Sequence, residues 1–252
     1  MHLSRNQTIY TGASGLVLPV PNKLSYPPEF QDKSRLEYYA SLFNSIEINS
    51  SFYKLPIAKT LKKWADTVPE YFKFTFKLWK QITHNQGLVY DPGEIVLFMN
   101  RISAVGTRKG CLLVQFPPSL SIASSTQLAR LLTDLNEHNE AGWKIAVEFR
   151  NRSWYEEGIY ELLHQYHATM VIHDIPASAT PQHKEIPDVI YLRFHGPNGG
   201  YRGSYPDDYL YEYAQYIKEW QEEGKSVFAY FNNTMGSAVQ NLITMNKFIE
   251  MT

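Results

Sequence analysis

Two glutamates interrupt segments of this sequence that otherwise resemble buried strands. Glu47 lies in the apolar run Ser45–Asn49, and Glu148 lies in the run Trp143–Phe149. A carboxylate inside a buried strand is costly unless a partner or a function compensates for it. If burial keeps one carboxyl neutral while an arginine keeps the other ionised, the pair supplies a general acid and a general base. The two glutamates are therefore the first candidates for catalysis.

Further polar residues stand where the other apolar runs end. Asp174 and His195 are candidates for the same acid/base chemistry. Amide, aromatic and cationic side chains are candidates for ligand binding: Asn49, Tyr53, His84, Gln115, Arg150, Trp154, Arg193, Tyr201, Arg202, Tyr205, Asn232, Asn233 and Asn241. The competing interpretation is an ion network in which the carboxylates pair with Lys77, Arg150 and Arg193 and only stabilise the fold.

Two segments rich in glycine and asparagine follow the last two apolar runs. They are His195–Tyr205 and Asn232–Gly236. Backbone N–H groups of such loops often bind phosphate, and Arg202 would add a planar donor for an anion. The segments predict a small anionic ligand, containing phosphate or resembling a nucleotide. A flexible surface loop is the alternative.

Three histidines, His84, His173 and His195, lie near the ends of predicted strands. Together with the carboxylates they would suit a divalent metal, because imidazole and carboxylate groups are common metal ligands. The sequence contains no HxH or HExxH spacing that would identify such a site. The cofactor is therefore undetermined, and a divalent metal is one option.

These residues are positioned by alternating strand-like and helix-like segments. Eight short β-rich runs are present: Thr8–Ala13, Ser45–Asn49, Phe72–Lys77, Gly110–Phe116, Trp143–Phe149, Thr169–His173, Val189–Phe194 and Ser226–Phe231. Between them, apolar residues recur at helical spacing in seven segments, as at Leu128, Leu131, Leu132 and Leu135. The proline-containing stretch Ala177–Pro187 lacks this period and predicts an irregular crossover in place of the sixth helix.

Eight parallel strands joined by right-handed crossovers close most economically into a single (β/α)8 barrel of the TIM type. A doubly wound open sheet is the alternative, but no GxGxxG segment leads from a strand into a helix. The length of 252 residues suits one such barrel, so we expect one domain over residues 1–252. The residues that follow the strands would then meet at one mouth.

Charge and composition limit the partners. The net charge of −1 and the pI of about 6.7 provide no global positive field, so nucleic acid is possible only through a local patch. Cys111 is the single cysteine, which excludes an intrachain disulfide and is typical of a reducing compartment. No apolar stretch has membrane-spanning length, so we expect no membrane partner and a cytoplasmic location. Nothing indicates the oligomeric state.

The same segments resemble the YecE-like family, domain of unknown function 72, over nearly the whole chain. The motifs are GASG at Gly12–Gly15, EINSSFYKLP at Glu47–Pro56, ITH at Ile82–His84, QFPP at Gln115–Pro118, VEFRNRSW at Val147–Trp154, HDIP at His173–Pro176, YLRFHG at Tyr191–Gly196 and YFNNTMGSAVQN at Tyr230–Asn241. The resemblance implies a β/α barrel with a site among these motif residues, but no particular activity, cofactor or substrate. Leu16–Pro19 departs from the aromatic residues that commonly follow the first motif.

Three functions remain open on the sequence. The first is an enzyme, a hydrolase or a lyase, that uses carboxylate acid/base chemistry on a small anionic ligand held by Arg150 and Arg193. The second is a non-catalytic module that binds a ligand or a nucleic-acid end. The third is a metal-dependent phosphodiesterase similar in fold to endonuclease four. The enzyme ranks first because buried carboxylates and arginines are expensive for a surface that only binds.

Overall fold

The chain forms an α/β fold with parallel sheets, seen in a computed structural model that describes residues 8–181 and 186–252. In chain order the strands are β1 (Ile9–Ala13), β2 (Ser45–Ile48), β3 (Lys73–Lys77), β4 (Lys109–Gln115), β5 (Lys144–Glu148), β6 (Ala168–Met170), β7 (Ile172–His173), β8 (Val189–Phe194) and β9 (Ser226–Phe231). One sheet has the order β2-β3-β4-β5-β6, and the other has the order β1-β9-β8-β7. All the pairings in both sheets are parallel.

The two sheets approach each other closely where β1 meets β2. Ser14 and Glu47 form an isolated parallel bridge, and the N–H of Gly15 donates to the carbonyl of Glu47 at 2.9 Å. Gly12 allows this approach, because a Cβ at its position would lie 2.1 Å from the carbonyl oxygen of Ser45. The bridge brings the end of β1 next to the glutamate of β2.

The other edges of the sheets are joined by the chain itself, because Val171 alone separates β6 from β7. The N–H of Val171 donates to the carbonyl of Val147 at 2.8 Å, so the link stays against β5. The sequence predicted eight strands in one ring, whereas the described residues form nine strands in two sheets. The difference arises because the predicted strand Thr169–His173 is divided at Val171 and because β1 reaches β2 through a single bridge.

The helices in chain order are α1 (Arg35–Leu42), α2 (Ser50–Tyr53), α3 (Ala58–Thr67), α4 (Lys80–Thr83), α5 (Pro92–Ile102), α6 (Ser125–Glu137), α7 (Glu157–Gln165), α8 (Asp207–Glu222) and α9 (Ala238–Met251). All seven helices predicted from the apolar period are confirmed, and α2 and α4 are additional single turns after β2 and β3. Within Ala177–Pro187, residues 182–185 lie outside the described residues, and the remainder contains a turn and irregular chain but no helix.

Side chains alternate along each strand between the helices and the space enclosed by the sheets. In β3, Phe74 stacks on Trp64 of α3, whereas the hydroxyl of Thr75 lies 2.8 Å from the hydroxyl of Tyr230 on the inner side. A small apolar cluster fills this inner space: Cys111, Leu113, Ala146, Val171, Tyr191, Phe228 and Tyr230. The polar side chains at the carboxyl ends of the strands therefore lie above a filled interior.

The covering helices are amphipathic. In α6 the leucines Leu128, Leu131, Leu132 and Leu135 are buried, as the helical period predicted. In α8, which has 16 residues, the buried positions are Leu210, Ala214 and Ile217. Over the described ranges, no helix combines the length and the apolar character that a bilayer crossing requires.

Candidate functional site

A polar cavity of about 260 Å³ opens at the carboxyl ends of the strands. Its lining consists of Asn49, Tyr53, Lys77, Arg150, Arg193, Tyr201, Asn232, Thr234 and Met235. These residues are far apart in the sequence and meet because parallel strands bring their carboxyl ends to one edge. Three of the lining side chains are cations, and no aspartate or glutamate is among the described residues that line the cavity. The cavity therefore presents positive charge.

Arg193 connects two buried glutamates next to the cavity. Its Nε and Nη2 atoms donate to Glu47 at 3.0 and 2.7 Å, and its Nη1 atom donates to Glu148 at 2.6 Å. Glu47 also accepts hydrogen bonds from the hydroxyls of Ser14 at 2.7 Å and Tyr191 at 2.6 Å. Both glutamates are 0% exposed and Arg193 is 2% exposed. The three charges are therefore buried, and each is paired.

This pairing determines the protonation of both glutamates. Burial acts to raise the pKa of Glu47, but the charge and hydrogen bonds of Arg193 outweigh it and lower that pKa. Burial also opposes ionisation of Glu148, and Arg193 with Arg150 holds its pKa well below the usual value. Both carboxylates are thus ionised at neutral pH. Neither has the raised pKa of a general acid.

Arg150 lines the cavity, and His195 lies buried next to it. The Nε atom of Arg150 donates to Glu148, and its Nη2 atom lies 3.1 Å from Nε2 of His195. Nη1 of Arg193 lies 3.2 Å from the same imidazole nitrogen, while Nδ1 lies 3.2 Å from a carboxylate oxygen of Asp174. Arginine can only donate, so we assign Nε2 as the acceptor and place the ring proton on Nδ1, facing Asp174.

His195 is neutral in this environment. Burial lowers the pKa of His195 to about 4, helped by the charges of Arg193 and Arg150 and opposed by the hydrogen bond to Asp174. Asp174 in turn accepts a hydrogen bond from the hydroxyl of Tyr205. Since both ring nitrogens have protein partners, His195 orients the arginines of the cavity wall.

Lys77 is a lining cation without a carboxylate at ion-pair distance among the residues that the structure describes. Its Nζ atom donates to Oε1 of Gln115 at 2.6 Å and lies 4.1 Å from the ring centroid of Phe52. Gln115 is held in turn, since its Nε2 donates to the carbonyl of Phe116 at 2.5 Å. Gln115 is therefore a support for Lys77, and it is not itself among the lining residues.

The pKa of Lys77 is lowered to about 8. Burial is the main cause, and the charges of Arg193 and Arg150 act in the same direction against Glu148 and Glu47. Lys77 was expected at a strand end and as a partner for the carboxylates, but not as a residue that binds a ligand. The strand KFTFK contained a usable signal, because its alternation places Lys77 on the inner face with Thr75, at the carboxyl end of the strand.

Exposed apolar side chains surround the cationic part of the cavity. Tyr53 is 68% exposed and Met235 is 60% exposed, and both line the cavity. The hydroxyl of Tyr201 lies 3.5 Å from Nη1 of Arg150, and its ring centroid lies 5.7 Å from that of His195. If the anionic group of a ligand binds the arginines, the rest of the ligand would contact Tyr53, Tyr201 or Met235.

Three residues expected to bind a ligand lie elsewhere. Trp154 is buried in the core, where its Nε1 donates to the carbonyl of Leu120 at 2.7 Å and its ring stacks on Phe149. A loop position in the sequence did not reveal that this ring turns inward. Arg202 is exposed and is not among the lining residues. His84 is exposed and also lies outside the lining.

Asn233, Asn241 and Tyr205, also expected to bind a ligand, join the loops after β8 and β9. The Nδ2 atom of Asn233 donates to the carbonyl of Gly203 and to Oδ1 of Asn241, both at 3.0 Å. Asn241 donates to the hydroxyl of Ser204 at 3.0 Å and accepts from the N–H of Tyr205 at 3.3 Å. These contacts position the loops, and of the neighbouring asparagines it is Asn232 that lines the cavity.

The histidines do not form a metal-binding group. Within residues 8–181 and 186–252, no three side chains of His, Cys, Asp or Glu converge in a way that could hold a metal ion. The rings of His173 and His195 are 5.7 Å apart. Nε2 of His173 lies 2.9 Å from the carbonyl oxygen of Phe149, and its Nδ1 accepts from the N–H of Ile175 at 3.3 Å. Both nitrogens of His173 therefore have protein partners.

A second, larger depression of about 450 Å³ lies at the amino ends of the strands, between α1, α8 and α9. Its polar groups bind one another: the hydroxyl of Thr11 donates to Asn246 at 2.7 Å, and Asn44 accepts from the N–H of Thr11 at 2.8 Å. Lys218 and Glu250 contribute one charge of each sign. The smaller cavity at the carboxyl ends is the better candidate because its charges have one sign.

The chain is similar to two curated bacterial proteins. It is 28% identical over 241 residues to UPF0759 protein YunF of Bacillus subtilis, covering 84% of each chain. It is 29% identical over 156 residues to UPF0759 protein YecE of Escherichia coli K12, covering 60% of this chain and 56% of that protein.

Solved structures show the same architecture. A DUF72 family protein from Thermotoga maritima has a TM-score of 0.73 and 26% identity, with coverage of 96% of this chain and 99% of that one. A sugar phosphate isomerase/epimerase from Parabacteroides distasonis has a TM-score of 0.50 and 10% identity, with coverage of 98% and 96%, which shows a shared fold alone. The model of the family described as "Protein of unknown function DUF72" matches residues 10–252. The resemblance inferred from the motifs is therefore confirmed, and the chain belongs to the DUF72 family.

Proposed function

We propose that the cavity binds a small anion of the carboxylate or phosphate type, and that the protein is an enzyme acting on the molecule that carries it. The supporting observation is the lining, in which Lys77, Arg150 and Arg193 meet without a carboxylate among the described lining residues. Glu47 and Glu148 balance two of these three charges from the buried side. One positive charge is left over, and a bound anion would balance it.

The volume of the cavity favours a small molecule. At roughly 30 Å³ per water molecule, about 260 Å³ corresponds to roughly nine waters. That space suits an organic acid or phosphate of a few carbon atoms, with its apolar part against Tyr53, Tyr201 or Met235. A small molecule is favoured over a duplex nucleic acid, for which the net charge of −1 offers no general attraction.

In this proposal Glu47 and Glu148 hold the arginines in place and do not transfer protons. Four hydrogen bonds occupy the two oxygens of Glu47. The enzymatic part of the proposal rests on Lys77, because a pKa of about 8 gives the cavity a group that exchanges protons near neutral pH. A cavity lysine without a carboxylate at ion-pair distance among the described residues, with a proton that exchanges near neutral pH, favours the enzyme over a non-catalytic binding module.

The proposal also includes a closed ring of strands in one domain. The bridge between Ser14 and Glu47 joins one pair of sheet edges, and β6 continues into β7 across Val171 at the other. Counting β6 and β7 as one interrupted strand gives the eight-stranded barrel expected from the sequence. A cavity at the carboxyl ends of the strands is where such barrels bind their ligands.

Calorimetric titration with oxalate and with inorganic phosphate tests the proposal. We expect saturable binding to the wild-type protein that weakens in Arg150→Gln by roughly ten- to hundredfold, since a hydrogen bond to a charged group contributes about 1.5–3 kcal/mol. Arg202→Gln is the matched control, because it removes the same charge from an exposed position outside the cavity. Equal effects of the two substitutions, or absence of binding to the wild-type protein, would refute the proposal.

A further inference from the structure

We propose that Nζ of Lys77 forms an imine with the carbonyl carbon of a small anionic aldehyde or ketone whose anionic group is held by Arg150 and Arg193. The inference rests on the proposed function, because it uses the same cavity and the same anion contacts. It adds the reacting atom and the substrate class, which is an oxo acid or an oxo phosphate.

The position of Lys77 suits a nucleophile. It is the last residue of β3, a rigid strand paired on both sides, and its amine lines the cavity. A hydrogen bond to Gln115 at 2.6 Å and the ring of Phe52 at 4.1 Å hold the amine from the protein side. No carboxylate among the described residues lies at ion-pair distance, so no salt bridge locks the amine as an ammonium ion.

The charged groups around Lys77 favour a reactive fraction of neutral amine. Burial, Arg193 and Arg150 lower the pKa of Lys77 to about 8, while Glu148, Glu47 and the face of Phe52 oppose them. Compared with a lysine at the ordinary pKa of 10.5, the neutral fraction at neutral pH is about 300-fold larger. The two arginines therefore activate the amine and also attract the anionic end of the substrate.

The reaction balances without any further reagent. The neutral amine attacks the carbonyl carbon, a C–N bond forms, and the π electrons of the carbonyl move to oxygen. One amine proton passes to that oxygen and gives a carbinolamine. The C–O bond then breaks, the second amine proton leaves with the hydroxide as water, and the nitrogen lone pair completes the C=N bond.

The cavity also offers an acceptor for the carbinolamine hydroxyl. Oδ1 of Asn49, a lining residue, is buried and has no hydrogen-bond partner within the described part of the chain. A buried acceptor without a partner is uncommon, because the loss of its hydration is not compensated. A hydroxyl on a carbon bound to Lys77 would supply the missing donor.

Reductive trapping with glyoxylate and sodium cyanoborohydride tests the inference, with peptide mass spectrometry locating the carboxymethylated lysines. Lys80 is the internal control, because it is exposed and lies three residues after Lys77. We expect at least tenfold faster modification of Lys77 than of Lys80 at neutral pH, with the rate for Lys77 levelling off above pH about 8. Acetaldehyde, which lacks an anionic group, should show a much smaller preference for Lys77.

Two variants separate this inference from the proposed function. In Lys77→Arg the trapped adduct should disappear, while calorimetry should still detect saturable binding of oxalate, because arginine keeps a positive charge in the cavity. Arg150→Gln should slow trapping of glyoxylate at Lys77 at least tenfold more than trapping of acetaldehyde, because acetaldehyde loses only the effect of Arg150 on the pKa of Lys77, whereas glyoxylate also loses the contact to its carboxylate.

Each outcome decides one of the two claims. Equal modification of Lys77 and Lys80, together with intact oxalate binding, overturns the imine and leaves the anion site. An equal preference for glyoxylate and acetaldehyde overturns the anionic substrate class. Absence of oxalate binding refutes the proposed function, whatever the reactivity of Lys77.

Discussion

Removing Arg193 should lower the stability of the folded protein, because two glutamates are buried beside it. In Arg193→Met the new side chain fills much of the same space, but Glu47 loses two hydrogen bonds and Glu148 loses one. Glu47 keeps the hydroxyls of Ser14 and Tyr191, and Glu148 keeps Arg150. Because breaking a buried ion pair leaves an uncompensated charge, we expect a loss of about 3–5 kcal/mol in the free energy of unfolding at neutral pH.

The pH dependence of this loss has a defined sign. In the wild-type protein the lowered pKa values of Glu47 and Glu148 stabilise the folded state above the unfolded pKa, and this contribution disappears as the pH falls through the folded values. Without Arg193, burial becomes the main influence on both glutamates, so their pKa values should rise. The folded state should then be destabilised most at high pH, where both carboxyls are forced to ionise. The difference in stability between wild type and Arg193→Met should therefore narrow as the pH falls from 7 towards about 4.5.

Urea unfolding followed by circular dichroism at several pH values measures both quantities. Arg202→Met is the control, because the same substitution at an exposed position should change the free energy of unfolding by less than about 0.5 kcal/mol. A loss of less than about 1 kcal/mol in the free energy of unfolding of Arg193→Met at neutral pH would refute the reasoning, since breaking a buried ion pair should destabilise the protein by more than this. So would a loss that stays constant on acidification.

Three other predictions concern single side chains. The affinity for oxalate, whose charge is constant in this range, should fall as the pH rises through about 8 because Lys77 loses its proton, and calorimetry on Lys77→Met should show a lower affinity without that fall. Cys111 is buried, and burial also raises the pKa of its thiol, so a thiol reagent should modify Cys111 only at the rate of global unfolding. Fast modification of the native protein would contradict this expectation. Trp154→Phe should lower the free energy of unfolding by about 1–2 kcal/mol, because the hydrogen bond to Leu120 is lost, and should leave oxalate binding unchanged. Weaker oxalate binding in this variant would indicate that Trp154 contributes to the site.

Much of the architecture could be predicted because strands and helices leave periodic signals. The leucines of α6 follow the helical period, and β3 alternates between aromatic residues under the helices and polar residues on the inner face. The division of the sixth strand at Val171 left no such signal. It depends on how the edges of two sheets meet, which involves partners distant in the sequence.

The candidate site was predicted as a set of residues but not as an arrangement. Position at the end of a strand was enough to predict that Arg150, Arg193 and Asn232 belong to one site, and all three line the cavity. It could not show that four donor atoms surround Glu47, because three of them, one from Tyr191 and two from Arg193, come from a strand far along the chain. The sequence also could not show the direction of the Trp154 ring or the burial of Lys77, since both depend on packing between distant segments.

The central claim is that the cationic cavity at the strand ends holds a small anion. The most direct measurement is a crystal structure of the protein grown with oxalate. We expect density for the anion within hydrogen-bond distance of Arg150 and Lys77, with Glu47 and Glu148 still bound to Arg193. Oxalate bound only at other surfaces, with this cavity filled by water at a saturating concentration, would contradict it.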